Sequence, residues 1–156
     1  MKTETLLVSG SIAALSLALL TGCAATMPTP AQPSVVAVRI PVGNSALPGV
    51  LHLAGGSDPG VTAIWFHGFP GLPEPDRAAI DVLRSEGISV LTLHYRGSWG
   101  APATFSAAHA LEDARAAIAF LRAPSTVDSY AIDPDAVIPV GDSFGSWIAL
   151  QSASGD

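Results

Sequence analysis

Ser143 lies in Gly141-Asp142-Ser143-Phe144-Gly145, a G-x-S-x-G pattern. The pattern follows the apolar run 136–140 and opens a helical stretch. A serine on such a strand-to-helix turn, a nucleophile elbow, presents its hydroxyl for attack on an acyl carbon. The turn strains the serine backbone by about 1–3 kcal/mol. Gly141 and Gly145 carry no side chain, so strand and helix can pass closely there, and the small Ser146 extends that logic. The pattern alone is a weak signal, and a glycine-rich turn with an idle serine is the plainer alternative.

A second piece is "WFHGFPG", Trp65 to Gly71. Acyl transfer needs N–H donors aimed at the developing oxyanion. The N–H after the nucleophile, that of Phe144, can be one donor and the N–H of Phe69 the other. Gly68 and Gly71 let backbone N–H groups turn towards a ligand. His67 reads as a histidine that shapes this loop, in preference to a catalytic one.

Elements able to position these groups follow from the pattern of apolar residues. Val35–Ile40 and Leu47–Ala54 read as two strands joined by a turn at Pro41, Gly43 and Asn44. Val61–Phe66 and Ile88–Tyr95 are continuous apolar runs, as in buried strands. Between them, 74–87 reads as a helix with Pro75 in its first turn, an apolar stripe of Ala79, Ile80 and Leu83, and Gly87 as its stop. Residues 107–122 read as a second helix, with Ser106 as N-cap and Leu111, Ala114, Ile118 and Leu121 on one face. The stretch 123–135 reads as a loop. Strands alternating with helices predict a mixed, mostly parallel α/β sheet with helices on both faces, opening with an antiparallel pair.

Composition removes several function classes. The chain has 156 residues, is 49% hydrophobic and 13% charged, and carries a net charge of −6 with only seven Lys and Arg. Those values suit a folded domain and argue against a nucleic-acid footprint. One cysteine excludes an intramolecular disulfide and a multi-cysteine metal site. His52, His67, His94 and His109 show no i, i+4 pairing, and nothing suggests a metal or an organic cofactor.

The N-terminus reads as a targeting segment. Lys2 is followed by an apolar run from Leu6 to Leu20, shorter than the ~20 residues of a bilayer span. The run ends in Leu20-Thr21-Gly22-Cys23, which resembles the lipobox of bacterial lipoproteins. The resemblance implies a signal peptide over 1–22, lipid on Cys23 and attachment to a membrane of the bacterial cell envelope. An ordinary secretory signal, with a periplasmic or secreted product, is the alternative. Residues 23–34 are Pro-rich and small, an extended tether to a domain over 35–156.

From about Val35 to Ser154 the sequence resembles the N-terminal part of bacterial α/β-hydrolases. "FHGFPG" resembles their oxyanion loop, "LHYRGSWG" the loop after the fourth strand in the prolyl-oligopeptidase and dienelactone-hydrolase branches, and "GDSFGS" the elbow after the fifth strand. The resemblance implies an α/β-hydrolase fold, Ser143 as nucleophile, and Phe69 and Phe144 as oxyanion donors. Tyr95, Arg96 and Trp99 would lie near the mouth, with Arg96 a loop brace. The expected substrate is a small acyl compound, a carboxylic ester or a relative.

The triad order in that family is Ser, then Asp or Glu, then His. No histidine follows Ser143, and Asp156 comes too soon to serve as the acid. The sequence therefore predicts a chain truncated after the elbow and its helix. Of the upstream histidines, His94 at a strand end is the best substitute base. The elbow strand would present an unpaired apolar edge, open to self-association. The alternative function is a non-catalytic truncated product or a membrane-tethered binding fragment.

Overall fold

The computed structural model describes residues 32–56, 58–69, 71, 75 and 77–154. The apolar run Leu6–Leu20, Cys23 and most of the Pro-rich tether lie outside the described residues.

The described residues form one five-stranded sheet and four helices. In chain order these are β1 (Ser34–Val42), β2 (Ser45–Leu53), β3 (Gly60–Phe66), α1 (Arg77–Ser85), β4 (Ser89–Leu93), α2 (Ala107–Arg122), α3 (Pro124–Tyr130), β5 (Ile132–Gly141) and α4 (Phe144–Ala153). The strand order is β1-β2-β4-β3-β5. β1 pairs antiparallel with β2, and β2 with β4, whereas β3 runs parallel to β4 and to β5. Only β2 therefore runs against the other four.

Burial follows the strand period. On β1 Val38, Ile40 and Val42 point inwards, and on β2 Leu47, Leu51 and Leu53 do. They join Ile64, Phe66, Leu91, Leu93 and Val137 in one apolar face. α2 covers that face with Ala110, Ala114, Ala117, Ile118 and Leu121, and α4 adds Ile148 and Ala149. The run of alanines keeps α2 close to the sheet. Ser106 caps α2 as expected, its hydroxyl accepting the His109 N–H at 3.0 Å.

The opposite face is covered by α1 and only in part. A groove of about 560 Å³ remains there, walled by Trp65, Val82, Leu83, Ile138 and Val140. β5 pairs with β3 on one side and, among the described residues, with nothing on the other. Asp142 donates its N–H to the Phe66 carbonyl of β3 at 3.3 Å. N–H groups alternate in direction along a strand, and the β3–β5 register is regular from Val137 to Gly141. Pro139 therefore turns its donor-less nitrogen to the open edge, where no ladder bond is lost.

One expected loop is structured. Within 123–135, α3 occupies Pro124–Tyr130 and β5 already begins at Ile132. Thr126, Val127, Asp128 and two serines are poor helix formers, and Ala123 supplies no side-chain cap. Tertiary burial decides the matter: Thr126 is buried and Tyr130 packs against the core.

Candidate active site

β3, β4 and β5 run parallel, so their carboxyl ends lie on one edge of the sheet. Ligands bind at that edge in open α/β sheets. The register sets Phe66 beside Gly141 and Trp65 beside Thr92. The three loops that follow are thereby brought together: His67 to Gly71, Tyr95 to Phe105, and Asp142-Ser143.

Ser143 has φ 51° and ψ −120°. A non-glycine residue avoids that region unless its surroundings enforce it. The enforcement is visible. A Cβ on Gly145 would overlap the Phe66 carbonyl oxygen, and one on Gly141 would overlap the backbone of Gly145. The α4 N-terminus is thus seated directly on the end of β3. Gly145 N–H donates to the Asp142 carbonyl at 2.8 Å and the Ser146 hydroxyl to the Gly141 carbonyl at 2.9 Å, closing the turn. A serine at an N-cap ordinarily caps its helix. Here its side chain makes no capping bond, and the residue is exposed.

The loop after β3 faces the serine. A Cβ on Gly68 would stand 3.2 Å from Ser143 Cβ. Gly68 N–H donates to Asp142 Oδ1 at 3.2 Å. From the sequence, Gly68 and Gly71 were expected to turn N–H groups towards a ligand. In the structure Gly68 has no positive φ, and what it and Gly71 supply is room for close backbone approach. The next donor along is the N–H of Phe69. That of Phe144, first residue of α4, has no intrahelical acceptor. Neither donates to an acceptor among the described residues.

His67 is buried, and its Nδ1–H donates to the Gly68 carbonyl at 2.6 Å. Its ring lies 4.4 Å from that of Tyr95, whose hydroxyl donates to the His67 carbonyl at 3.2 Å. Burial holds the imidazole below the usual histidine range, against the pull of the Gly68 carbonyl. Burial, and then the charges of Asp142 and Asp113, push the Tyr95 phenol up, so its hydroxyl stays a donor. This arrangement shapes the loop.

Arg96 braces the next loop. Its Nε donates to Asp113 Oδ1 at 2.6 Å, its N–H to Asp113 Oδ2 at 2.8 Å, and its Nη2 to Glu112 at 2.6 Å and the His109 carbonyl at 3.0 Å. Burial raises the Asp113 carboxyl, and Arg96 works against that shift. Trp99 ties this loop to the other, its indole N–H donating to the Gly71 carbonyl at 2.8 Å.

The histidines do not reach Ser143 by any hydrogen bond among the described residues. His94 Nδ1 bonds with the Trp99 carbonyl and His109 Nδ1 with that of Thr104. His52 pairs with Val90, at the amino end of β4 and away from the elbow. Two residues here carried no sequence signal. Asp142 occupies a variable place in the G-x-S-x-G pattern, and Phe105 precedes a helix cap. In the sequence Asp142 stands out only as a charged group beside the serine.

No protein-family model matches the chain, and comparison with the curated proteins gives no match. Solved structures are similar over most of it. An esterase of Pyrobaculum calidifontis matches with a TM-score of 0.65 at 19% identity, covering 78% of this chain and 39% of that one. A thermophilic carboxylesterase cloned from a metagenomic library matches with 0.60 at 23%, covering 81% and 45%. An α/β hydrolase of Penicillium sp. sh18 matches with 0.65 at 18%, covering 79% and 42%. The chain spans less than half the length of each of these structures. The described residues form an α/β-hydrolase fold over the segment that the chain covers.

Proposed function

We propose that this chain is part of a serine hydrolase acting on carboxylic esters or related acyl compounds. The observation that carries the reading is Ser143, exposed and uncapped at φ 51° on the sheet edge beside Gly68. In the reaction, Ser143 Oγ bonds to the acyl carbon as its proton passes to a base. The carbonyl oxygen becomes an alkoxide held by the N–H groups of Phe69 and Phe144. Collapse expels the alcohol, and water then releases the acid by the same steps in turn. A histidine, with an acidic partner, would supply that base in the order Ser, Asp or Glu, His. A lipid on Cys23, with the 23–34 tether, would hold the domain at the membrane of the bacterial cell envelope.

Labelling with a fluorophosphonate tests this reading. Modification located at Ser143 and lost in Ser143→Ala is the expected result. A folded, full-length product that takes up no label would refute the nucleophile. Reading the coding DNA beyond codon 156 adds a second check, for an acidic residue followed by a late histidine. A second reading, a membrane-tethered chain that binds without catalysis, is favoured by one observation: no base is bonded to Ser143 among the described residues. The absence of label would favour it.

A further inference from the structure

We propose that Phe105 is a positioning residue that sets the two oxyanion donors, Phe69 and Phe144, relative to one another; the inference rests on the reading of Ser143 as nucleophile. The Phe105 ring stacks on Phe69 with centroids 4.1 Å apart and planes 13° apart. It also meets Phe144 edge-on at 5.8 Å and 62°. Both candidate donors thus carry side chains packed on one ring, although they lie on different loops.

That ring is held from below and from both chain directions. Tyr95, fully buried, lies 6.3 Å from Phe105 and 6.1 Å from Phe144, closing a three-ring cluster. Upstream, Gly97 has φ +74°, and a Cβ there would overlap the Phe105 nitrogen, so the loop folds back onto this residue. Gly97 N–H donates to the Pro102 carbonyl at 3.1 Å within the same loop. Downstream, Ser106 caps α2 and fixes the chain immediately after the ring.

Phe69 depends on this support more than Phe144 does. Phe144 starts a helix seated on β3, whereas Phe69 is 49% exposed and makes no other ring contact among the described residues. Two donors must converge on one oxygen at roughly 2.7–3.1 Å to act together. Stacked aromatic pairs are geometrically selective, so losing the ring frees Phe69 to move relative to Phe144.

The test compares Phe105→Ala with Phe105→Tyr, which keeps the ring. In time-dependent fluorophosphonate labelling, Phe105→Ala is expected to lower kinact by roughly 10- to 100-fold, somewhat below the loss of a whole donor. KI and cooperative unfolding are expected to persist, and Phe105→Tyr to restore kinact to within about threefold of wild type. Wild-type kinact in Phe105→Ala would overturn the inference while leaving Ser143 as nucleophile. A folded, full-length wild-type product without label refutes the nucleophile instead, and amide NMR still decides about Phe105. The Phe69 and Phe144 amide signals are expected to shift together in Phe105→Ala and to stay in Phe105→Tyr. Signals that stay in place in both variants would also overturn it.

Discussion

The Asp142 carboxylate accepts the Gly68 N–H at 3.2 Å, joining two segments 74 residues apart in the chain. One partner immediately precedes Ser143 and the other immediately precedes Phe69. The bond therefore sets the elbow against the proposed oxyanion loop. Asp142→Ala is expected to slow fluorophosphonate labelling of Ser143 roughly tenfold, less than removal of a donor outright. Asp142→Asn keeps an acceptor at Oδ1 and should retain most of the rate. Equal rates in all three proteins would show that the bond does not position the loop.

Backbone strain at Ser143 has a thermodynamic counterpart. Glycine adopts positive φ freely, so Ser143→Gly relieves about 1–3 kcal/mol. It loses about 0.5–1 kcal/mol through the greater freedom of the unfolded chain. The variant is expected to be more stable by about 1 kcal/mol while losing all labelling. Urea unfolding measures the gain, and a less stable variant would contradict the strain.

Asp113 and Arg96 form a largely buried pair, with side-chain exposures of 0% and 14%. Removing the carboxylate strands the guanidinium with Glu112 as its remaining ionic partner. Asp113→Ala is expected to cost about 3 kcal/mol, at the low end for a broken buried pair. Glu112→Ala, at an exposed carboxylate, should have a clearly smaller effect. Similar losses in the two variants, read from denaturant midpoints, would place the brace at the surface instead.

His67 makes stability depend on pH. Burial holds its folded pKa below the value of 6.5 for the free side chain. Below that pH the unfolded chain takes up a proton that the folded chain resists, so stability falls as pH drops through about 6.5. His67→Asn keeps a donor near the Gly68 carbonyl and is expected to flatten the fall between about pH 7 and about pH 5. Urea unfolding across that range checks it; an unchanged slope would assign the dependence to another group.

Much of the fold was legible because local periodicity and global burial agree. The runs at Val61–Phe66 and Ile88–Tyr95 are mostly apolar without strict alternation, as in buried strands, and both are strands in the structure, the second as Ser89–Leu93. Ser106 was legible as a cap because its hydroxyl acts within one turn. α3 was not, because its residues have little intrinsic helix preference and are held by contacts made elsewhere.

The sequence by itself determined the α/β pattern, the elbow turn and the loop that opposes it, since each rests on residues close together in the chain. Tertiary structure alone decided which groups meet across that distance: Asp142 with Gly68, Arg96 with Asp113, and Phe105 with both Phe69 and Phe144. Side-chain periodicity reports which face a residue occupies, whereas partner choice depends on strand order and register. The order β4-β3-β5 and the pairing of Phe66 with Gly141 are what bring those residues to one edge of the sheet.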